Sequence, residues 1–137
     1  MPWYIFIHPV WQLVALYLGI KNLYQGFNRE SSLVFSLRKH INTGLVFIVL
    51  TALGYLIGHQ SSKALKELNI IFVIKGHRFL ANLTLIFLGL ILLSGLLTRK
   101  DWRHFKWLHF LHPWFSLLTV GIIFAQLFLT ISKFVGW

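Results

Sequence analysis

The sequence predicts an all-α integral membrane protein, an up-and-down four-helix bundle, and three observations carry that prediction. Of the 137 residues, 57% are hydrophobic and only 12% charged, with a mean hydropathy of +0.72, a balance foreign to a soluble domain of this length. The apolar residues gather into four runs, each able to supply the roughly 20 residues that a helix needs to cross a bilayer. The connections between the runs are short, which forces neighbouring helices antiparallel. Membrane strands are excluded because they are about half as long and alternate in polarity.

The formal net charge is +10 and the isoelectric point near 10.5, but the cations lie between the apolar runs. Juxtamembrane Lys and Arg meet lipid headgroups there, and no base-reading motif accompanies them, so nucleic acid is not an expected partner. Cysteine is absent. Disulfides, thiolate zinc, iron–sulfur clusters and cysteine-attached haem are thereby excluded, and histidine is the main metal-ligand resource left.

Residues 1–137 read as one domain. Its first span is expected at about 3–26, uncharged until Lys21 and flanked by Trp3, Tyr4 and Trp11 at one end and Tyr17 and Tyr24 at the other, the usual interfacial aromatic belt. The start, MPWYIFIHPVWQ, lacks the charged region of a signal peptide, so this segment is expected to be a structural helix. The polar stretch Asn28-Arg29-Glu30-Ser31-Ser32 leads to a second span at about 33–58. A hydrophilic loop is expected over His59 to Lys66, with Gln60-Ser61-Ser62 as the breaker. The third span is expected at about 68–97, and Thr98-Arg99-Lys100-Asp101 reads as a turn with Asp101 capping a fourth span over about 102–132.

Each run carries a histidine at its N-terminal head: His8, His40, His77 and His112. With the termini on side A, antiparallel order places His8 and His77 together on side A and His40 and His112 together on side B. Helices one and three are diagonal in such a bundle, as are two and four, so each pair can face across the centre near one membrane surface.

On a helix, positions i, i+4, i+7, i+11, i+14 and i+18 stay within roughly 40° of one another. From His8 that stripe reads Gln12, Ala15, Gly19, Asn22 and Gly26; from His40, Gly44, Phe47, Thr51, Gly54 and Gly58. From His77 it reads Ala81, Thr84, Leu88, Ile91 and Gly95; from His112, Ser116, Thr119, Ile123, Gln126 and Thr130. Small and polar residues turn away from lipid, so these faces and their histidines are expected to point inward. Gly54 and Gly58 would open room on side A, and Gly19 and Gly95 on side B. The stripe from His109 is less polar, which favours His112 as the fourth ligand, with His109 the alternative should helix four ride deeper. His59 and His104 are expected to be solvated.

Two imidazoles on opposite helices supply the axial positions of an iron whose other four ligands come from a porphyrin. A zinc, copper or non-haem iron site would want more protein ligands, and Glu30, Glu67 and Asp101, the only carboxylates, all lie outside the spans. The expected cofactor is therefore haem b, two per chain, held between diagonal helices by His8 with His77 and by His40 with His112. Arg38, Lys39, Lys75 and Arg78 lie beside these histidines, where they can meet haem propionates or lipid headgroups.

The motifs HP at 8–9, RKH at 38–40, GHR at 76–78 and LHP at 111–113, set in four spans covering nearly all the chain, give it a pattern that resembles the cytochrome b561 family and related small diheme membrane cytochromes. That resemblance implies the same pairing of first with third and second with fourth helix. It further implies electron transfer across the membrane, from a quinol or small reductant to an acceptor or a partner redox protein. No ascorbate-binding motif is identified, so the substrate does not carry over. Positions fourteen apart on a stripe are separated by roughly 20 Å, the expected haem spacing, and bis-histidine ligation leaves no open iron position. The competing reading is a haem-free scaffold or small transporter. Side B holds Lys21, Arg29, Arg38, Lys39, Arg99, Lys100, Arg103 and Lys106, against Lys63, Lys66, Lys75, Arg78 and Lys133 on side A. By the positive-inside rule both termini are then expected on the non-cytoplasmic side, in a membrane of bacterial inner or thylakoid type.

Overall fold

The computed structural model describes residues 7–29, 35–67, 76–101 and 103–135 of the chain. Among them are four helices, α1 (Ile7–Phe27), α2 (Leu37–Glu67), α3 (His77–Lys100) and α4 (Lys106–Val135). The packing of α1 on α2 and of α3 on α4 is extensive, that of α1 on α4 is less so, and that of α2 on α3 is sparse. The ring order is therefore 1-2-3-4, with α1 and α3 diagonal, and α2 and α4 diagonal, as antiparallel connections require.

Three helices, α2, α3 and α4, are long and apolar enough to cross a membrane, which makes this a membrane protein in its architecture. The first expected span differs. At 21 residues α1 is about 30 Å long and could reach across a bilayer, but Gln12, Lys21, Asn22 and Gln25 interrupt its apolar run. Of these, Gln12 and Asn22 are buried, so that polarity is directed largely at the bundle and not at lipid. Residues 3–6 of that expected span, like 68–75 of the third, lie outside the described residues.

Element ends depart from expectation in three places. The hydrophilic stretch at 59–66 is not a loop: α2 runs unbroken to Glu67, because it contains neither Gly nor Pro after Gly58 and Lys63, Ala64, Leu65 and Lys66 are good helix formers. Thr98, Arg99 and Lys100 belong to the last turn of α3, not to a turn between helices, and Thr98 donates from its hydroxyl to the Ser94 carbonyl at 2.6 Å. Asp101 does cap, but one turn early. Its Oδ1 accepts the His104 N–H at 3.1 Å, and α4 begins at Lys106 instead of 102. At the other end of the bundle α3 starts after Gly76, whose φ of 86° lies in the left-handed region that favours glycine.

Burial is inverted relative to a soluble protein. Tyr17, Tyr24, Phe79, Ile86, Phe124 and Phe128 are all more than half exposed, while Gln12, Asn22, Thr51, Thr84, Ser94, Thr119 and Gln126 are buried. Leu16, Phe47, Leu88, Ile123 and Leu127 form the apolar centre. The buried hydroxyls bond back to their own helices, Thr51 to the Phe47 carbonyl at 2.8 Å, Thr84 to Leu80 at 2.9 Å and Thr119 to Phe115 at 2.8 Å. This leaves no unpaired hydroxyl on those residues in a medium that offers no water. Side chains also stitch helices together: Trp11 donates from Nε1 to the Leu50 carbonyl at 2.7 Å, Tyr55 from its hydroxyl to Asn82 Oδ1 at 3.0 Å, and Gln126 from Nε2 to Thr84 Oγ1 at 3.3 Å.

Ile86, on α3, is 61% exposed, and on a soluble protein Arg there would be nearly neutral. With lipid outside, Ile86→Arg should raise the insertion free energy of α3 by about 3 kcal/mol. Membrane-insertion assays on the full chain, with Ile86→Leu as the control, measure that difference.

Candidate functional site

All four stripes read from the histidines face inward. The buried residues of α1 are Gln12, Ala15, Leu16, Gly19 and Asn22, and those of α2 are Phe47, Thr51 and Gly54. On α3 they are Thr84, Leu88, Ile91 and Ser94, and on α4 Thr119, Ile123, Gln126 and Leu127 are buried together with Leu108 near its start. Because each histidine heads its stripe, folding brings the four rings toward the bundle axis as two pairs. His8 and His77 stand with ring centroids 6.1 Å apart and planes at 80°. His40 and His112 stand 6.3 Å apart at 70°.

Hydrogen bonds define which nitrogen each ring presents. A carbonyl can only accept, so His8 Nδ1, 2.9 Å from the Gly54 carbonyl oxygen, carries the proton. Ser94 donates its hydroxyl to the Ile91 carbonyl at 3.0 Å, and therefore accepts from His112 Nδ1 at 2.8 Å. In both rings Nε2 is left unprotonated, the tautomer that metal-ligating histidines adopt when the other nitrogen is bonded to backbone or side chain. His77 Nδ1 is buried without a hydrogen-bond partner. His40 Nδ1 lies beside the Asn22 backbone carbonyl but makes no hydrogen bond of good geometry.

The rings sit on small residues supplied by neighbouring helices. A β-carbon at Gly58 would fall 2.7 Å from His8 Cε1, one at Gly26 would fall 3.3 Å from His40 Cε1, and one at Gly95 would fall 3.4 Å from His112 Cε1. Each of these glycines stands eighteen residues after the histidine of its own helix, five full turns on the same face. Thr130 occupies the equivalent place after His112 and lines a cavity of about 10 Å³ with His8, Pro9, Gln12, His77 and Gln126. The helices thus exchange contacts, histidine of one on small residue of the next. Eighteen residues amount to about 27 Å of rise, so the ring pairs lie near opposite faces of the bundle and further apart than the roughly 20 Å of a fourteen-residue spacing.

Gly19 and Gly54 do other work than expected. Gly19 admits the Phe47 ring and Val120 at mid-bundle, and Gly54 admits Gln12 and Trp11; Gly26 is the residue beneath His40 that the stripe contained but the reasoning about room passed over. His112 is the α4 histidine across from His40, and His109 is half-buried one turn closer to the start of α4. Arg38, Lys39 and Arg78 are exposed beside the pairs, as are His59 and His104. Lys75 lies outside the described residues. Ser94 is the residue no stripe from His112 could reveal, because it belongs to α3.

Among the described residues no group of three His, Cys, Asp or Glu side chains comes together. Two imidazoles binding one metal through Nε2 at about 2 Å have ring centroids about 6 Å apart, which is the spacing of both pairs. An edge-to-face ring contact also falls in that range. The Nδ1 bonds of His8 and His112 and the sockets beneath the rings are what a ring contact alone would not require.

Gly58→Val should drive a branched side chain into the His8 ring and destabilise the protein by about 1–3 kcal/mol, whereas Gly89→Ala, with nothing within 4 Å of the added carbon, should be neutral or slightly stabilising. Ser94→Ala strips the His112 Nδ1–H of its acceptor in a site where Ser94 is 1% exposed, and should cost about 1–3 kcal/mol. Thermal unfolding in detergent compares all three with the parent protein.

No family model, curated protein or solved structure matches this chain, so the ring pairs and their surroundings carry the functional argument.

Proposed function

We propose that the chain is an electron-transfer cytochrome of the membrane, resembling the b561 type, in which His8 with His77 and His40 with His112 hold two b-type haems. The observation that carries this reading is the approach of both histidine pairs across both diagonals at 6.1 and 6.3 Å, near opposite ends of the bundle. When bound, such a group supplies a one-electron iron couple.

The chain's own residues have distinct tasks in this reading. Gly54 and Ser94 orient the His8 and His112 rings and leave Nε2 unprotonated. Gly58, Gly26 and Gly95 provide the close approach that lets the His8, His40 and His112 rings pack against the neighbouring helix. Arg38, Lys39 and Arg78 are exposed at the heads of α2 and α3, suited to the carboxylates of a macrocycle or to anionic headgroups. Between the pairs, Leu16, Phe47, Leu88 and Ile123 exclude water from the centre. The packing of α2 with α3 is the sparsest between neighbouring helices, so that seam would be the one to yield if the bundle admitted a macrocycle. The electron donor in this proposal is a quinol or small reductant, and the acceptor is a small molecule or a larger redox assembly in which the chain is the membrane subunit.

Detergent-purified protein from haem-replete cells should show sharp low-spin b-type bands on reduction, with two haems per chain. His8→Ala and His112→Ala should each remove one haem, and His109→Ala should leave both. A colourless parent protein would sink the cytochrome reading and favour a haem-free scaffold or transporter.

A further inference from the structure

The buried face of α3 is Thr84, Leu88, Ile91 and Ser94. Its opposite face runs Phe79, Asn82, Ile86, Gly89, Leu93 and Leu96, every one of them exposed. Steps of three and four residues keep these positions in one seam along the helix. Any outward helix face shows such spacing, as α4 does with Trp114, Leu117, Gly121, Phe124 and Phe128. What sets the α3 seam apart is a carboxamide facing lipid.

Exposed Arg78 and Arg99 stand 21 residues apart on α3, about 32 Å of rise, which matches the ~30 Å of hydrocarbon between two headgroup layers. Asn82 is one turn inside the Arg78 level and about 7.5 Å inward of His77 along the axis. Asn42, the exposed asparagine of α2, is only two residues inward of His40 and next to Arg38 and Lys39. The Tyr55 hydroxyl of α2 donates to Asn82 Oδ1 at 3.0 Å and so holds the amide in place on the outside of the bundle. Oδ1 can accept a second hydrogen bond and Nδ2 has two to donate. Lipid supplies a partner for none of them.

Two turns further along the seam, a β-carbon added at Gly89 would have nothing within 4 Å. A small residue in open space on a membrane helix lets another backbone approach closely. The neighbour on the Tyr55 side, α2, packs only sparsely on α3.

We infer that this seam is a dimer interface, occupied by α3 of a second copy of the chain. A two-fold axis along the membrane normal sets identical residues at identical depth, so Asn82 meets its own counterpart without any shift of one copy against the other. Each Nδ2 then donates to the other copy's Oδ1, whose remaining acceptor site keeps the Tyr55 hydroxyl. A carboxamide is donor and acceptor at once, so this pairing is self-complementary, and one such pair in an otherwise apolar seam fixes its register. Gly89 meets Gly89 where the backbones can come together. The interface is independent of what the histidine pairs hold.

The chain contains no cysteine, so single cysteine substitutions report on contacts without background. Oxidised in native membranes, Ile86→Cys and Leu93→Cys should give disulfide-linked dimers, whereas Phe124→Cys, as exposed on α4 as Ile86 is on α3, should stay monomeric. Asn82→Leu combined with Ile86→Cys should lower the dimer yield about fivefold or more. Tyr55→Phe, which removes only the bond within the chain, should keep it. Monomer in all three cysteine variants, equal cross-linking through Phe124→Cys, or a yield that Asn82→Leu leaves unchanged would overturn the inference. Should Asn82→Leu fail to assemble, the contrast between Ile86→Cys and Phe124→Cys decides alone.

Discussion

Hydroxyls, amides and imidazoles on these helices have nowhere to turn but inward, because the surface of α2, α3 and α4 is apolar and lipid returns no hydrogen bonds. Everything else about the bundle follows from that one constraint. Phe79, Phe124 and Phe128 take the outside, while Thr51, Thr84, Thr119 and Gln126 take the inside. The threonines meet their needs locally, through carbonyls one turn back on their own helices. Histidine cannot do so, since its ring reaches too far from its own backbone. It reaches instead toward a neighbouring helix, where His8 bonds to the Gly54 carbonyl and His112 to Ser94.

The α1–α2 hairpin solves this in both directions and the α3–α4 hairpin in one. A histidine at the head of one helix lies on a small residue near the tail of the next, and the two helices of the pair return the favour: His8 on Gly58 and His40 on Gly26, then His112 on Gly95, with Thr130 beside His77. Because the residues involved are eighteen apart on every helix, five whole turns, both contacts fall on one face. The two hairpins then join at α1 and α4 and touch only sparsely at α2 and α3. Ring pairs consequently form across the diagonals at both ends, with a dry apolar middle of Leu16, Phe47, Leu88 and Ile123 between them. Such a frame keeps the two ring pairs apart, each near one end of the bundle.

Within that frame the pairs are not symmetric. One member of each, His8 or His112, has its Nδ1 bonded by a neighbouring helix; the other, His77 or His40, has not. The orientation and tautomer of an imidazole are set by such supporting bonds. The difference between His77 and His40 then lies in the backbone, a helix start after left-handed Gly76 in one case and a Ser36-capped turn in the other.

The sequence by itself determined the four helices, their alternating direction and the face each turns inward, because those depend on apolar length, short connections and the 3.6-residue period, all local quantities. It also determined which histidines could pair, since antiparallel order puts residues 8 and 77 on one side and 40 and 112 on the other. It misjudged the helix ends at 59–66 and at 98–100, where a helix continues through residues whose polarity suggested it would stop, and at the start of α4, where a turn held by Asp101 precedes the helix. Only the tertiary structure decided which glycine lies under which ring, that Ser94 of α3 and the Gly54 carbonyl of α2 anchor His112 and His8, and that the pairs stand about 27 Å apart along the helices. Those facts depend on the relative height and rotation of helices, which one-dimensional spacing leaves free and which packing of side chains against the facing helix sets.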